Sequence, residues 1–208
     1  MRLKTLLLVL VFILMVSVIK AQINTYVGGT IQGLYTGARI DNATYKPGFG
    51  IGAAIYYWEF NDWFFKTGID YTLKSSSFFD SPVLFGQAYQ DDANDIKIDY
   101  RQHDLGIPLT IYFRLIERSS NAMLLTGTLE MSYALAGIMK SDGFDKVILT
   151  GRDFDKRLRT AVGIGVGYQW QIDRDLFFNL IPSYNVDLRS ERPFNTFKLT
   201  VEMMFGIY

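Results

Sequence analysis

The last segment of the chain, residues 197–208, is apolar at every second position. Phe197, Leu199, Val201, Met203, Phe205 and Ile207 alternate with Lys198, Thr200, Glu202, Met204 and Gly206. Because successive side chains on a β-strand point to opposite faces, this segment predicts a strand with one apolar and one mostly polar face. A water-soluble barrel turns its apolar face inward, whereas a membrane barrel turns it outward to lipid.

The same alternation recurs along the chain and predicts eight strands. They lie near residues 23–35, 47–59, 63–74, 99–115, 122–137, 157–172, 175–188 and 196–208. Most of them supply the ~9–11 residues that a tilted membrane strand needs.

The connections between these strands alternate between short and long. Short turns are predicted at residues 61–62, 117–121 and 173–175, and longer loops at 36–46, 75–98, 138–156 and, more modestly, 189–195. Short turns at one end and long loops at the other are typical of outer-membrane barrels.

The polar phase of the strands carries ten charged residues. These are Lys66, Asp70, Lys74, Asp104, Arg114, Glu130, Arg159, Asp187, Lys198 and Glu202. A soluble barrel of the lipocalin kind would place them outside and would line a ligand cavity with the apolar phase. The opposite phase is almost continuously apolar, and a soluble protein could not expose it without aggregating. We therefore expect an all-β fold, an eight-stranded antiparallel up-and-down transmembrane barrel.

In such a barrel the ten charges would lie in the lumen. An eight-stranded barrel is just wide enough inside for side chains to fill it. Buried charges must be paired or hydrogen-bonded, so we expect an occluded lumen and no general diffusion pore.

Aromatic residues cluster beside the predicted short turns. Tyr57, Trp58, Trp63, Tyr168, Trp170 and Phe178 are the main members, accompanied by Phe60, Phe64, Phe65 and Phe177. Folding back at the turns would bring them to one height, which predicts an aromatic belt at the periplasmic interface.

The N-terminus has the layout of a secretory signal peptide. Arg2 and Lys4 precede an unbroken apolar run over residues 6–16, and cleavage is expected between Ala21 and Gln22. The run is shorter than the ~20 residues of a membrane-spanning helix. The chain therefore divides into a signal peptide at 1–21 and an outer-membrane β-barrel domain at 22–208.

Composition narrows the chemistry of the mature chain. Removal of residues 1–21 leaves 18 Lys and Arg against 21 Asp and Glu, with no cysteine. A near-neutral balance gives no support to nucleic-acid binding. The absence of cysteine excludes disulfides, thiolate metal sites and a cysteine nucleophile.

Several short motifs resemble those of the small outer-membrane barrels of Bacteroidetes that are called PorT-like. The matching segments are the Ala21-Gln22 junction, the glycine-rich stretches at 26–29, 48–52 and 163–168, and above all Leu105-Gly106-Ile107-Pro108-Leu109. The resemblance implies an eight-stranded barrel in the outer membrane of a Gram-negative bacterium. It also suggests a part in type IX protein secretion, an inference by analogy of fold.

Pro108 and Pro182 fall in the middle of predicted strands. Proline has no amide donor and in a sheet tends to mark an edge or a bulge. Since a closed barrel has no edge, we expect a bulge at Pro108, and Pro182 raises the same question.

Candidate catalytic chemistry is sparse. Some small outer-membrane barrels modify lipid A with a rim histidine, and His103 is the single histidine here. Adjacent Asp104 would point to the opposite face of a regular strand and could not orient it. We therefore expect no catalytic residue and no bound cofactor.

One predicted external loop is acidic. Asp80, Asp91, Asp92, Asp95 and Asp99 lie in or beside it, but their spacing does not match a calcium-binding loop. A solvated acidic surface is favoured over a divalent-cation site in residues 80–99, and we predict no metal site.

Three functional hypotheses follow. The leading one is a non-enzymatic barrel whose external loops serve binding or envelope maintenance. The others are a PorT-like barrel in protein secretion and a lipid A-modifying enzyme centred on His103. The expected partners are outer-membrane lipid, lipopolysaccharide, the barrel-assembly machinery, and envelope or secretion proteins.

Overall fold

The structure is a computed structural model that describes residues 24–40, 42–58, 62–80, 96–118, 120–142, 144–150, 157–189 and 193–207. The predicted signal peptide and its Ala21-Gln22 junction lie outside these residues. No helix in the described part of the chain is long and apolar enough to cross a membrane.

Nine strands follow one another in chain order. They are β1 (Asn24–Ala38), β2 (Thr44–Trp58), β3 (Trp63–Asp80), β4 (Ile96–Arg118), β5 (Asn121–Lys140), β6 (Val147–Thr150), β7 (Leu158–Asp173), β8 (Leu176–Arg189) and β9 (Phe194–Ile207).

Eight of these strands form a closed antiparallel barrel. The pairing order runs β4, β3, β2, β1, β9, β8, β7, β5, and the ring is closed by pairing of β5 with β4. Closure pairs the strand edges, which is what permits a sheet to stand in lipid. The prediction of an eight-stranded antiparallel transmembrane barrel is confirmed.

The loops in the structure are shorter than the predicted ones because several strands continue beyond the apolar band. Residues 75–80 and 96–98, expected in a loop, belong to β3 and β4, and β6 lies within the expected loop 138–156. In these extensions the outward residues of β4 are charged, at Lys97, Asp99 and Arg101, and β3 carries Ser75 and Ser77 before the exposed Phe79. The apolar alternation therefore disappears although the backbone ladder continues.

The prediction of a bulge at Pro108 is wrong. Pairing of β4 with β3 is the same before and after the proline, with Thr67 opposite Leu109 and Asp70 opposite Gly106. Pro182 likewise keeps its register, opposite Leu199. A missing amide donor costs one ladder bond, and here the flanking pairs hold the register without an inserted residue.

The bulges lie instead near the barrel ends, where such irregularities are common. Register shifts occur between His103 and Asp104 and between Arg114 and Ile116 on β4. A third proline does coincide with one, since Pro47 lies in the irregular stretch of β2 between Tyr45 and Phe49.

The outward face of the barrel carries an apolar band. On β4 it is formed by alternate residues from Leu105 to Leu115, most of them about half exposed. At ~3.3 Å per residue and a tilt of about 40°, ten residues span roughly 25 Å, the height of the apolar band of outer-membrane barrels. We assign the end with the short turns to the periplasmic side and the opposite end to the exterior.

The packing around each glycine predicts that replacement by alanine will lower the stability of the barrel at some positions and not at others. A side chain at Gly28 would overlap the Met203 carbonyl oxygen and approach the Tyr56 ring, whereas nothing lies within 4 Å of a side chain at Gly33. We expect Gly28→Ala to destabilise the barrel by about 1–3 kcal/mol, the usual cost of overpacking. Gly33→Ala, on the same strand, should change stability by less than about 1 kcal/mol.

Urea unfolding in detergent micelles, with heat-modifiable gel migration as the readout of the folded barrel, checks both variants. Equal midpoints for the two variants would contradict the interior packing described here.

Candidate functional site: the barrel interior and the external rim

Lys66 and Glu202 form the central ion pair of the barrel interior. The Lys66 Nζ lies 2.8 Å from the Glu202 Oε1, and both side chains are almost completely buried. Glu202 also accepts hydrogen bonds from the Tyr112 hydroxyl at 2.8 Å and from the Asn179 amide at 3.0 Å. Because β3 and β9 contribute the two charges, the pair joins non-adjacent strands across the lumen.

A second group of charges lies nearer the exterior. The Lys74 Nζ is 3.5 Å from both the Asp104 Oδ2 and the Asp187 Oδ1. The Arg159 Nη1 is 3.5 Å from the Asp187 Oδ2. Four strands (β3, β4, β7 and β8) therefore meet at one buried cluster of charges.

Two further carboxylates complete this inner charge layer. Glu130 Oε2 lies 3.3 Å from the Lys198 Nζ. Asp70 accepts hydrogen bonds from the Gln32 amide at 2.7 Å and the Thr30 hydroxyl at 3.4 Å. Nine of the ten predicted lumen charges thus lie in one layer, defined as Lys66, Asp70, Lys74, Asp104, Glu130, Arg159, Asp187, Lys198 and Glu202.

Arg114 lies apart from this layer. It pairs with Glu117 at 2.7 Å, close to the periplasmic turn, and donates a hydrogen bond to Gln169 at 2.7 Å. Its partner Glu117 is half exposed, so this interaction belongs to the solvated end of the barrel.

Apolar side chains close the interior on both sides of the charge layer. The periplasmic plug comprises Ala54, Tyr56, Phe64, Tyr112, Ala122, Leu124, Phe177, Ile181 and Met204. The external plug comprises Ala38, Phe78, Ile98, Tyr100, Met139 and Phe194.

Sequence reasoning missed these plugs. It placed Phe64 and Phe177 in the outer aromatic belt, but both are buried in the periplasmic plug. The signal was present, since apolar residues such as Tyr112, Leu124 and Met204 occupy the polar phase near the strand ends. Apolar residues there fill the lumen where charges would lack partners.

Four aromatic residues of the predicted belt, Trp63, Tyr168, Trp170 and Phe178, face outward near the short turns. Trp63 packs edge-on against Phe65 with ring centroids 4.7 Å apart. Trp170 contacts Tyr168 and Phe178, with centroids 4.7 Å and 5.5 Å away. Tyr57 pairs with Phe65 across β2 and β3, and Trp58 is the last residue of β2. Their placement at a membrane interface stays a prediction.

His103 points outward at the upper edge of the apolar band. Its Nδ1 lies 2.6 Å from the Tyr71 hydroxyl on β3. Asp104 is fully buried on the opposite face of β4. The arrangement pairs the imidazole with a phenol and leaves the neighbouring carboxylate in the inner charge layer.

The predicted acidic loop is only partly described. Asp91, Asp92 and Asp95 lie outside the described residues, whereas Asp80 is the last residue of β3 and Asp99 lies near the start of β4. Asp99 pairs with the Lys46 Nζ at 2.7 Å and accepts a hydrogen bond from Ser77. Partial burial raises the pKa of Asp99, but the hydrogen bonds from Lys46 and Ser77 outweigh it, and the pKa lies below its usual value.

Among the described residues, no three His, Cys, Asp or Glu side chains are grouped so that they could hold a metal ion.

Comparison with known proteins places the fold among small outer-membrane barrels. Neisserial surface protein A is 12% identical, with 88% of this chain and 97% of that chain covered and a TM-score of 0.55. Ail, the attachment invasion locus protein of Yersinia pestis, is 14% identical, with 88% and 99% covered and a TM-score of 0.42. Outer membrane protein H of Pseudomonas aeruginosa is 12% identical, with 88% and 99% covered and a TM-score of 0.43.

No family model and no curated protein sequence matches the chain. The likeness to solved structures therefore concerns the fold, an outer-membrane β-barrel of the Gram-negative type, and the PorT-like and Bacteroidetes assignments stay predictions.

The central ion pair predicts a large stability effect. Lys66→Met leaves Glu202 buried beside an apolar side chain, and the loss of one partner of a buried pair costs about 3–5 kcal/mol. The double variant Lys66→Met/Glu202→Gln should recover part of this loss because no uncompensated charge remains. Urea unfolding in micelles measures all three proteins.

Lys46→Gln is the matched control, because it breaks an exposed ion pair, which is worth about 0–1 kcal/mol. A Lys66→Met barrel as stable as Lys46→Gln would show that the interior is hydrated and its charges screened.

Proposed function

We propose that this protein is a non-enzymatic outer-membrane barrel that is closed to diffusion and acts through its external surface in binding or envelope maintenance. The observation that carries the proposal is the sealed interior. The inner charge layer lies between two apolar plugs, so the described part of the chain leaves neither a water-filled path nor an open ligand cavity in the lumen.

The remaining space inside the barrel is small. The cavity beside Lys66, Asp70 and Glu202 has a volume of about 30 Å³, and the one beside Lys74 and Glu130 about 10 Å³. Such volumes hold no more than a few water molecules. A transported solute would have to displace buried ion pairs, which costs several kcal/mol for each uncompensated charge.

The external end offers a larger structured surface. Strands β3, β4 and β5 continue above the apolar band, and β6 pairs with β5 at Ala136–Met139, above the point where β7 begins beside β5. A strand-built rim holds its side chains in more defined positions than a loop does, which favours recognition.

Conductance in planar bilayers tests the closed interior. We expect the purified protein to insert without a stable open state, because the inner charge layer and both plugs must rearrange before ions can pass. The variant Lys74→Ala/Phe194→Ala opens space next to Asp187 but keeps the periplasmic plug, so it should also insert without a stable open state. A large, stable open state in the unmodified protein would contradict the proposal that the barrel is closed to diffusion.

Because His103 is held by a hydrogen bond to Tyr71, the alternative of an enzyme centred on His103 can be tested directly. A lipid A-modifying enzyme centred on His103 would lose its product when the imidazole is removed. We expect the lipid A mass spectrum of cells that express His103→Ala to equal that of cells with the unmodified protein. A mass shift that disappears with His103→Ala but persists with Tyr184→Phe, a distant outward tyrosine, would establish the enzyme instead.

The part in type IX secretion is the remaining alternative and is supported by the sequence resemblance. A deletion strain distinguishes it, because loss of exported proteins from the culture medium would favour secretion. Unchanged export together with altered sensitivity to detergents would favour envelope maintenance.

A further inference from the structure

Strand β2 separates from β3 near the external end. Tyr45 lies opposite Ser76 and Phe49 opposite Leu73, but Lys46, Pro47 and Gly48 have no partner on β3. Over the same stretch β2 keeps its pairing to β1, with Lys46 opposite Thr36. The ladder between β2 and β3 therefore has a local break, although a side chain at Gly48 would overlap the Leu73 carbonyl oxygen, so the two strands stay close there.

The hydrogen-bonding groups at this break are satisfied from inside. The Ser75 amide donates to the Thr36 hydroxyl at 2.9 Å, and that hydroxyl donates to the Ser75 carbonyl oxygen. A side chain of β1 thus replaces the ladder bonds that β2 would make. The outer side of the break stays open as a groove of about 110 Å³.

Basic side chains flank this groove. Lys46 lies on its β2 side and Arg101 on its β4 side. Arg101 is exposed, and the next outward residues of β4 are Asp99 and Lys97. Across the β4–β5 ladder Lys140 lies opposite Asp99. Lys46 and Ser77 already bind Asp99, and Asp142 lies beside Lys97 and Lys140. Among the described residues, the basic side chains named here still outnumber these two carboxylates.

The groove lies just above the apolar band. Arg101 is four residues from Leu105, where the band begins on β4. At ~3.3 Å per residue and a tilt of about 40°, this places the Arg101 backbone roughly 10 Å above the hydrocarbon. Headgroups extend about 5–8 Å beyond the hydrocarbon on each side, and long basic side chains can reach down to them.

We propose that this groove binds a phosphate of a phosphorylated glycolipid in the outer leaflet. The Arg101 guanidinium presents two parallel donors that match phosphate geometry, and Lys46 adds a compact positive charge. Acyl chains of the same lipid would lie along the apolar band below, next to Leu73 and Leu105. A lipid bound there rests on the barrel wall and needs no access to the sealed interior.

Titration of the folded full-length protein in detergent with diphosphorylated lipid A, followed by native mass spectrometry, tests this site. Arg101→Gln should weaken binding about tenfold, the effect of one lost charge-assisted hydrogen bond. Arg101→Lys should restore part of the affinity. Asp99→Asn should strengthen binding, because it removes the acidic neighbour and releases Lys46. Arg174→Gln, at an exposed periplasmic turn, is the matched control and should bind like the unmodified protein.

Three results would overturn the site. Arg101→Gln and Arg174→Gln could bind lipid A equally well, or lipid A without phosphates could bind as tightly as the diphosphorylated form. Alternatively, inorganic phosphate at millimolar concentration could displace the lipid completely, which would identify a site for free phosphate. Heat-modifiable gel migration of each variant verifies the fold, and Asp99→Asn keeps the test decisive if Arg101→Gln fails to fold.

The inference rests on the proposed function in one respect, the assignment of this rim to the exterior. Bilayer conductance distinguishes a failure of the proposed closed interior from a failure of the proposed lipid site. An open barrel that still binds lipid A through Arg101 would contradict the closed interior alone, and a closed barrel that ignores lipid phosphate would contradict the groove alone.

Discussion

The structure depends on one constraint: an eight-stranded barrel encloses too little space to hydrate the charges on its inner face. Each buried charge must then find its partner on another strand. Lys66 on β3 reaches Glu202 on β9, and Lys74 on β3 reaches Asp187 on β8 as well as Asp104 on the neighbouring strand β4. The pairs of Lys66 with Glu202 and of Lys74 with Asp187 join non-adjacent strands across the lumen.

The apolar character of the outer surface follows from its contact with lipid. Lipid offers no hydrogen bonds, so the wall must satisfy its own backbone and present apolar side chains. Where the chain leaves the lipid, that requirement ends. The serines of β3 and the charged residues of β4 then replace the apolar band while the ladder continues. The break at Pro47 lies in this zone, where water and headgroups can solvate an interrupted wall.

Sequence alternation was sufficient for the eight strands, and the polar phase contained all the residues that became the inner charge layer. The sequence pattern led to wrong predictions where the same residue type suits two different environments. Phe64 and Phe177 looked like belt residues because an aromatic side chain near a turn suits either lipid or a lumen plug. Pro108 suggested a bulge, yet the neighbouring pairs hold its register, whereas Pro47 marks the real irregularity.

The sequence by itself determined the fold class, because an alternation of period two repeated over eight segments has one stable arrangement in lipid. It also determined which charged residues face inward, since a one-residue slip would turn every apolar side chain from lipid to lumen. Only the tertiary structure decided the partners of each charge, the two plugs and the groove between Lys46 and Arg101. Those depend on the stagger of non-adjacent strands around a closed ring, a distance relation that no local pattern encodes.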